Sequence, residues 1–180
     1  MTLRSDLAAL LADAGIVDMD IGEAAEDEHV RLDAYRKVIA VIAASGRRFD
    51  DRAVAAILRD PVATVSKTAI VELVDTVAME TADADEFQQW AAGLALLGND
   101  GHDRFVRRRP NDWAVYLAIR GDRTPETGLL MSVTAWMQRI IAEESTAPSV
   151  LGFLAENGRT RKIRNIARHR ARHCTVRPSP

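Results

Sequence analysis

The sequence predicts an all-α protein made of short helices joined by brief turns. Three observations carry this. First, apolar residues recur at helical spacing: Phe87, Trp90, Ala91 and Leu94 fall at i, i+3, i+4 and i+7, and Val65, Ala69, Leu73 and Val77 fall four apart. Second, aromatics make up 5 % of the chain while apolar residues in total make up 47 %, so small aliphatic side chains dominate and helices can approach closely. Third, Trp113–Pro125 returns as Trp136–Pro148, with Trp on Trp and Pro on Pro at one offset of 23 residues. A fixed period of this length marks stacked units that cannot bury their apolar faces alone. No segment alternates as a half-buried strand does.

The elements follow in order. Ser5 is expected to cap a first helix running through Ala14, with Gly15 as its stop. Asp18 to Glu28 is acidic and poor in large apolar residues, as an exposed helix start or linker would be. Leu32, Tyr35, Val38, Ile39, Val41 and Ile42 give a central helix over Val30–Ala44, ended by Ser45-Gly46. Asp50 or Asp51 caps a helix holding Val54, Ile57 and Leu58, which Asp60-Pro61 breaks because proline lacks the N–H and restricts the residue before it. The Val65–Val77 stripe and the Phe87–Leu94 face are two further helices, the second beginning near Asp83 or Asp85. Gly98-Asn99-Asp100-Gly101 is a turn.

In the repeated stretch, Trp113 and Trp136 are expected to open helices and wedge into a neighbouring unit, with Asp112 at an N-cap. Val115, Ala118 and Ile119 are the buried stripe of one unit, and Ile140, Ile141 and Ala142 that of the next. Thr124-Pro125 and Ala147-Pro148 each start a short helix, bearing Leu129 and Leu130, then Leu151 and Leu154. A third copy places Arg164-Asn-Ile-Ala167 on Arg139-Ile-Ile-Ala142 at an offset of 25, with Asn157-Gly158 holding the extra residues. Leu58–Ala69 has the same helix, proline turn, helix logic. This pattern resembles the HEAT-like α-solenoids, best over residues 105–172, and among them the leucine-rich repeat variant type. The resemblance implies a short right-handed α-solenoid of helical-hairpin repeats: an N-terminal helix and acidic connector over 1–29, a repeat domain over 30–173, and a flexible tail over 174–180. Some leucine-rich repeat variants carry a cysteine-ligated iron–sulfur module, but Cys174 is the only cysteine, so no such cofactor is implied.

The net charge of −2 conceals a split: residues 1–100 hold 9 basic against 19 acidic side chains, residues 101–180 hold 15 against 7, and no carboxylate side chain follows Glu156. Opposed halves of this kind would allow weak, salt-sensitive head-to-tail association. No apolar run is long enough to span a membrane, and the N-terminus lacks a signal-peptide core, so a cytoplasmic location is expected.

Candidate binding residues lie in the basic half. Arg161, Arg164, Arg168 and Arg172 fall in one stripe at about 100° per residue, with Ile163, Ile166, Ala167 and Ala171 opposite. Arg107, Arg108 and Arg109, with Arg104, form a second cluster. Guanidinium rows of this sort track phosphates by displacing counterions, or meet an acidic protein. His169 and His173 are four apart, but with only two imidazoles and cationic neighbours, no metal site is expected. Trp113 and Trp136 beside Asp112 invite comparison with the alkylpurine DNA glycosylases, HEAT-like enzymes that hold a damaged nucleotide between tryptophans and a carboxylate. Packing and capping roles account for these residues more simply, and no hydrolase, P-loop, dinucleotide or zinc-protease motif is present. The expected function is therefore a non-enzymatic scaffold binding a protein partner on a concave face, with nucleic-acid binding through the arginines as the alternative and glycosylase chemistry behind both.

Overall fold

A computed structural model describes residues 2–44, 51–97 and 103–174. The described residues form eleven α-helices and no strand. Contacts divide the chain into two compact units, one of residues 1–81 and 86–110, the other of 82–85 and 111–180.

Unit 1 begins with α1 (Leu3–Asp13), which buries Leu7, Leu10 and Leu11. Its cap is Thr2, not Ser5: the Thr2 hydroxyl accepts the Ser5 N–H, so Ser5 lies one turn inside the helix. Gly15 does stop it, at φ +68°, in the left-handed conformation that favours glycine. The acidic stretch divides into α2 (Ile21–Glu26), capped by Asp20, and the start of α3 (Glu28–Ala44), where the Asp27 carboxylate accepts the His29 and Val30 N–H groups. Helix α3 buries Tyr35, Val38, Ile39 and Ile42, while Val41 stays exposed. Next come α4 (Asp51–Leu58) and α5 (Ala63–Glu80); the latter buries Val65, Ala69, Leu73 and Val77 as their spacing predicts. Helix α6 (Ala84–Leu97) buries Phe87, Trp90 and Leu94. The expected stops at Ser45-Gly46 and Gly98–Gly101, and the Asp50 cap, lie outside the described residues.

A polar cluster sits within this apolar unit. Asp60 is 6 % exposed. Its Oδ2 accepts from Arg31 Nε and from the Tyr35 hydroxyl, each at 2.8 Å, and its Oδ1 accepts the Val62 N–H, also at 2.8 Å. Arg31, itself 2 % exposed, donates from Nη1 to the Ala24 and Ala25 carbonyls in the last turn of α2. One carboxylate thus holds α3, the α4–α5 turn and, through Arg31, α2. Burial and the Asp60 hydrogen bond push the Tyr35 phenol far above its ordinary pKa.

Helix α7 (Asp103–Arg120) contributes to both units, the division falling after Pro110. Trp113 therefore sits in the interior of a long helix and does not open one. Asp112 is likewise interior and caps nothing in its own helix. Unit 2 continues with α8 (Thr127–Ser132), α9 (Ala135–Glu144), α10 (Pro148–Asn157) and α11 (Arg161–Cys174). Pro148 is the first residue of α10 as expected, but Pro125 precedes the α8 cap, Glu126. The offset of 23 thus pairs unlike positions, interior Trp113 with Trp136 at the second residue of α9. A better match joins α9 to α11. Thr134 and Thr160 each accept, at 3.2 Å, the N–H of the residue three further on, Met137 and Ile163. Met137 with Ile163, and Ile141 with Ala167, are then equivalent buried pairs. This offset is one residue longer than the expected 25, because the Thr caps set the phase.

Candidate functional site

Three arginines of the basic half, Arg159, Arg164 and Arg170, sit on the ends of helices. The last carbonyls of an α-helix lack intrahelical donors and carry the negative end of the macrodipole. Helices α8, α9 and α10 have no basic residue in their own last turns. Arginines from further along the chain fill the role. Arg159 Nη2 donates to Met131 O at 2.6 Å on α8. Arg170 Nη2 donates to Ser145 O at 3.1 Å, and more weakly to Glu144 O, at the end of α9. Arg164 Nη1 donates to Gly158 O at 2.6 Å at the end of α10. Gly158 itself is required, because a Cβ there would lie 2.7 Å from Leu154 O and 2.8 Å from Ile163. In unit 1, Arg31 serves α2 in the same way.

This use of arginine reduces the expected binding stripe. Arg164 is half-buried on its carbonyl and is not part of an outward row. Arg161, Arg168 and Arg172 are exposed, on an arc that also holds Lys162, Asn165, His169 and His173. Arg168 donates to Asn165 Oδ1 at 3.0 Å. From Arg161 to Arg172 the helix rises about 16 Å at its usual pitch. In unit 1, Arg109 is no free cation, since its Nε and Nη2 bind the two Asp75 oxygens at 2.6 Å each. Arg108 is exposed, and the Arg104 and Arg107 side chains lie outside the described residues. The two histidines meet each other, Nε2 to Nε2, at 3.3 Å. Among the described residues no three metal-ligating side chains converge.

The tryptophans do come together. Trp113 and Trp136 meet edge to face, with centroids 6.0 Å apart, and Trp113 makes a second such contact with Tyr116 at 5.4 Å. Trp113 is buried, whereas Trp136 is 40 % exposed. Asp112 is 1 % exposed and directs both oxygens to Thr134, accepting its N–H at 2.8 Å and its hydroxyl at 2.5 Å. It steadies the cap of α9 and presents no oxygen to a groove.

Beside Trp136 the chain exposes more apolar surface than sequence reading anticipates. Helix α8 buries Leu130 but leaves Leu129 and Met131 45 % and 38 % exposed. Of the two leucines expected on this short helix, Leu130 alone is buried. Beneath this segment Gln138, wholly buried, donates to Leu130 O and accepts the Arg159 N–H, both at 2.9 Å. The exposed α8 therefore rests on a fixed polar support. None of the helices is long and apolar enough to cross a membrane, among the described residues. Comparison with protein-family models, curated proteins and solved structures gives no match.

Proposed function

We propose that the chain is a non-enzymatic helical-repeat scaffold, a short right-handed α-solenoid of HEAT-like hairpins, that binds a protein partner through unit 2. The observation that carries this reading is the apolar surface of residues 129–136. Leu129, Met131 and Trp136 are three of the six large apolar side chains exposed among the described residues, and they fall within eight positions. Exposed apolar side chains gathered on a rigid support suit protein recognition, aromatic and Met anchors above all. Exposed Arg159 reaches this surface, with its Nη2 on Met131 O at 2.6 Å, so the partner segment is acidic with large apolar side chains. The Thr-capped equivalence of α9 and α11 supports the repeat reading. A pull-down after nuclease treatment tests the proposal. Wild type should retain one stoichiometric partner, and Leu129→Ser with Met131→Ser should lose it. Recovery of material that vanishes with nuclease, or equal recovery by the variant, overturns it.

The alternative, nucleic-acid binding, draws its support from the exposed arc of α11, which bears Arg161, Lys162, Arg168 and Arg172 and no carboxylate. Changing the three arginines to Gln should then lower the slope of log affinity against log salt, on a short duplex, by about 0.9 for each phosphate no longer neutralised. No duplex affinity at low salt removes this reading.

A further inference from the structure

Two imidazoles meet on the exposed side of α11. His169 and His173 stand four residues apart, so both rings share one face of the helix, and both residues are exposed. Their Nε2 atoms are 3.3 Å apart and their ring centroids 4.6 Å apart. Two nitrogens that each lie about 2.0–2.1 Å from one tetrahedral zinc ion are roughly 3.3–3.4 Å from each other, so the pair already has the bite of a chelate. The hydrogen bond that the rings make with each other puts one proton where the ion would sit.

The surrounding charges act in both directions. Arg168 and Arg172 are exposed on the same arc and oppose a dication. Arg170, between the two histidines in sequence, is turned to α9, where its Nη2 donates to Ser145 O. Arg164 is held on Gly158 O, one helix end away. The end of α11 favours a cation, because His173 lies in its last turn, at the negative pole of the helix dipole.

We propose that His169 and His173 form a two-imidazole chelate for zinc, open to water at its other two positions. Imidazole suits zinc, whereas magnesium takes oxygen ligands and gains nothing here. On binding, the ring that donates shifts to its Nδ1–H tautomer, so that both Nε2 lone pairs face the ion. No third acidic or imidazole side chain joins the pair among the described residues, so the site is a surface chelate and not a closed structural centre. The ion joins successive turns of α11 and fixes the turn that carries Arg170, the donor at the end of α9.

Titration of the untagged chain with zinc chloride, followed by calorimetry and by the imidazole nitrogen signals in NMR, tests this. One equivalent of zinc should bind saturably and shift the Nε2 signals of His169 and His173 together, while magnesium should do neither. His169→Asn and His173→Asn should each weaken zinc by at least about tenfold, because a second ligand on one rigid helix acts at high effective concentration. Arg168→His combined with His169→Arg keeps composition and charge but sets the imidazoles five apart, on different faces, and should weaken zinc as much. Cys174→Ser should bind as wild type does. Absence of saturable zinc binding, an equal response to magnesium, wild-type affinity in either histidine variant or in the exchanged one, or loss with Cys174→Ser alone overturns the proposal.

Discussion

Replacing Asp60 with Ala tests the polar cluster of unit 1. The carboxylate accepts three hydrogen bonds, and its loss leaves the Arg31 guanidinium, 2 % exposed, without a counter-charge. The Ala24 and Ala25 carbonyls still accept from Nη1, but Nε and the Tyr35 hydroxyl lose their acceptor. Removing one partner of a buried pair costs roughly 3–5 kcal/mol, because the surviving charge is stranded in a medium that solvates it poorly. For a chain of this size the expected fall in Tm is about 6–20 °C. Replacing Arg31 with Met in the same chain should recover part of this loss, since no buried cation then remains unpaired. Urea unfolding of the three variants, followed by far-ultraviolet circular dichroism and by fluorescence, measures these differences and reveals whether the two units unfold together. A loss below about 1 kcal/mol for Asp60→Ala would show that water or a shifted backbone satisfies Arg31, and the reasoning would fail.

Two further perturbations follow from single residues. Ser66 is wholly buried in α5 and its hydroxyl has no partner, so Ser66→Ala should stabilise the fold by about 1 kcal/mol, read as a higher urea midpoint at unchanged slope. The Asp27 carboxyl is held below the ordinary aspartate range by the His29 and Val30 N–H groups. Its stabilisation is complete above the ordinary value, about pH 4, and fades as pH falls through the depressed one. Asn also caps helices, so Asp27→Asn should flatten the acid limb of a Tm-against-pH curve and leave neutral pH little changed; an identical acid limb would refute this.

Where the sequence is legible, the physics is local. The Val65–Val77 stripe declares α5 because one face of a helix repeats within four residues, and Gly15 declares its turn because few residues tolerate that φ. Asp60 reads only as the residue before a proline, since its partners lie 29 and 25 positions earlier and nothing local brings them together. Asp112-Trp113 imitates a cap and first turn, yet α7 runs through Pro110. Side chains on either side hold that helix: Arg109 on Asp75 in one unit, Asp112 on Thr134 in the other. The repeat of letters at 23 residues carries no information on helical phase, which the Thr134 and Thr160 hydroxyls set. Periodicity places the arginine stripe on one face of α11, but it cannot tell a guanidinium that meets solvent from one, such as Arg164, that meets a carbonyl.

The borrowed caps also bear on how unit 2 comes into being at the ribosome. Helices α8, α9 and α10 are synthesised before the arginines that close them: Met131 waits for residue 159, Gly158 for 164, and Ser145 for 170. Until α11 has emerged, the Gly158 and Ser145 carbonyls lack the guanidinium donors they have in the folded unit. Arg159 thus closes α8 and residues of α11 close α9 and α10, so these helix ends are completed only once residues up to 170 have been made.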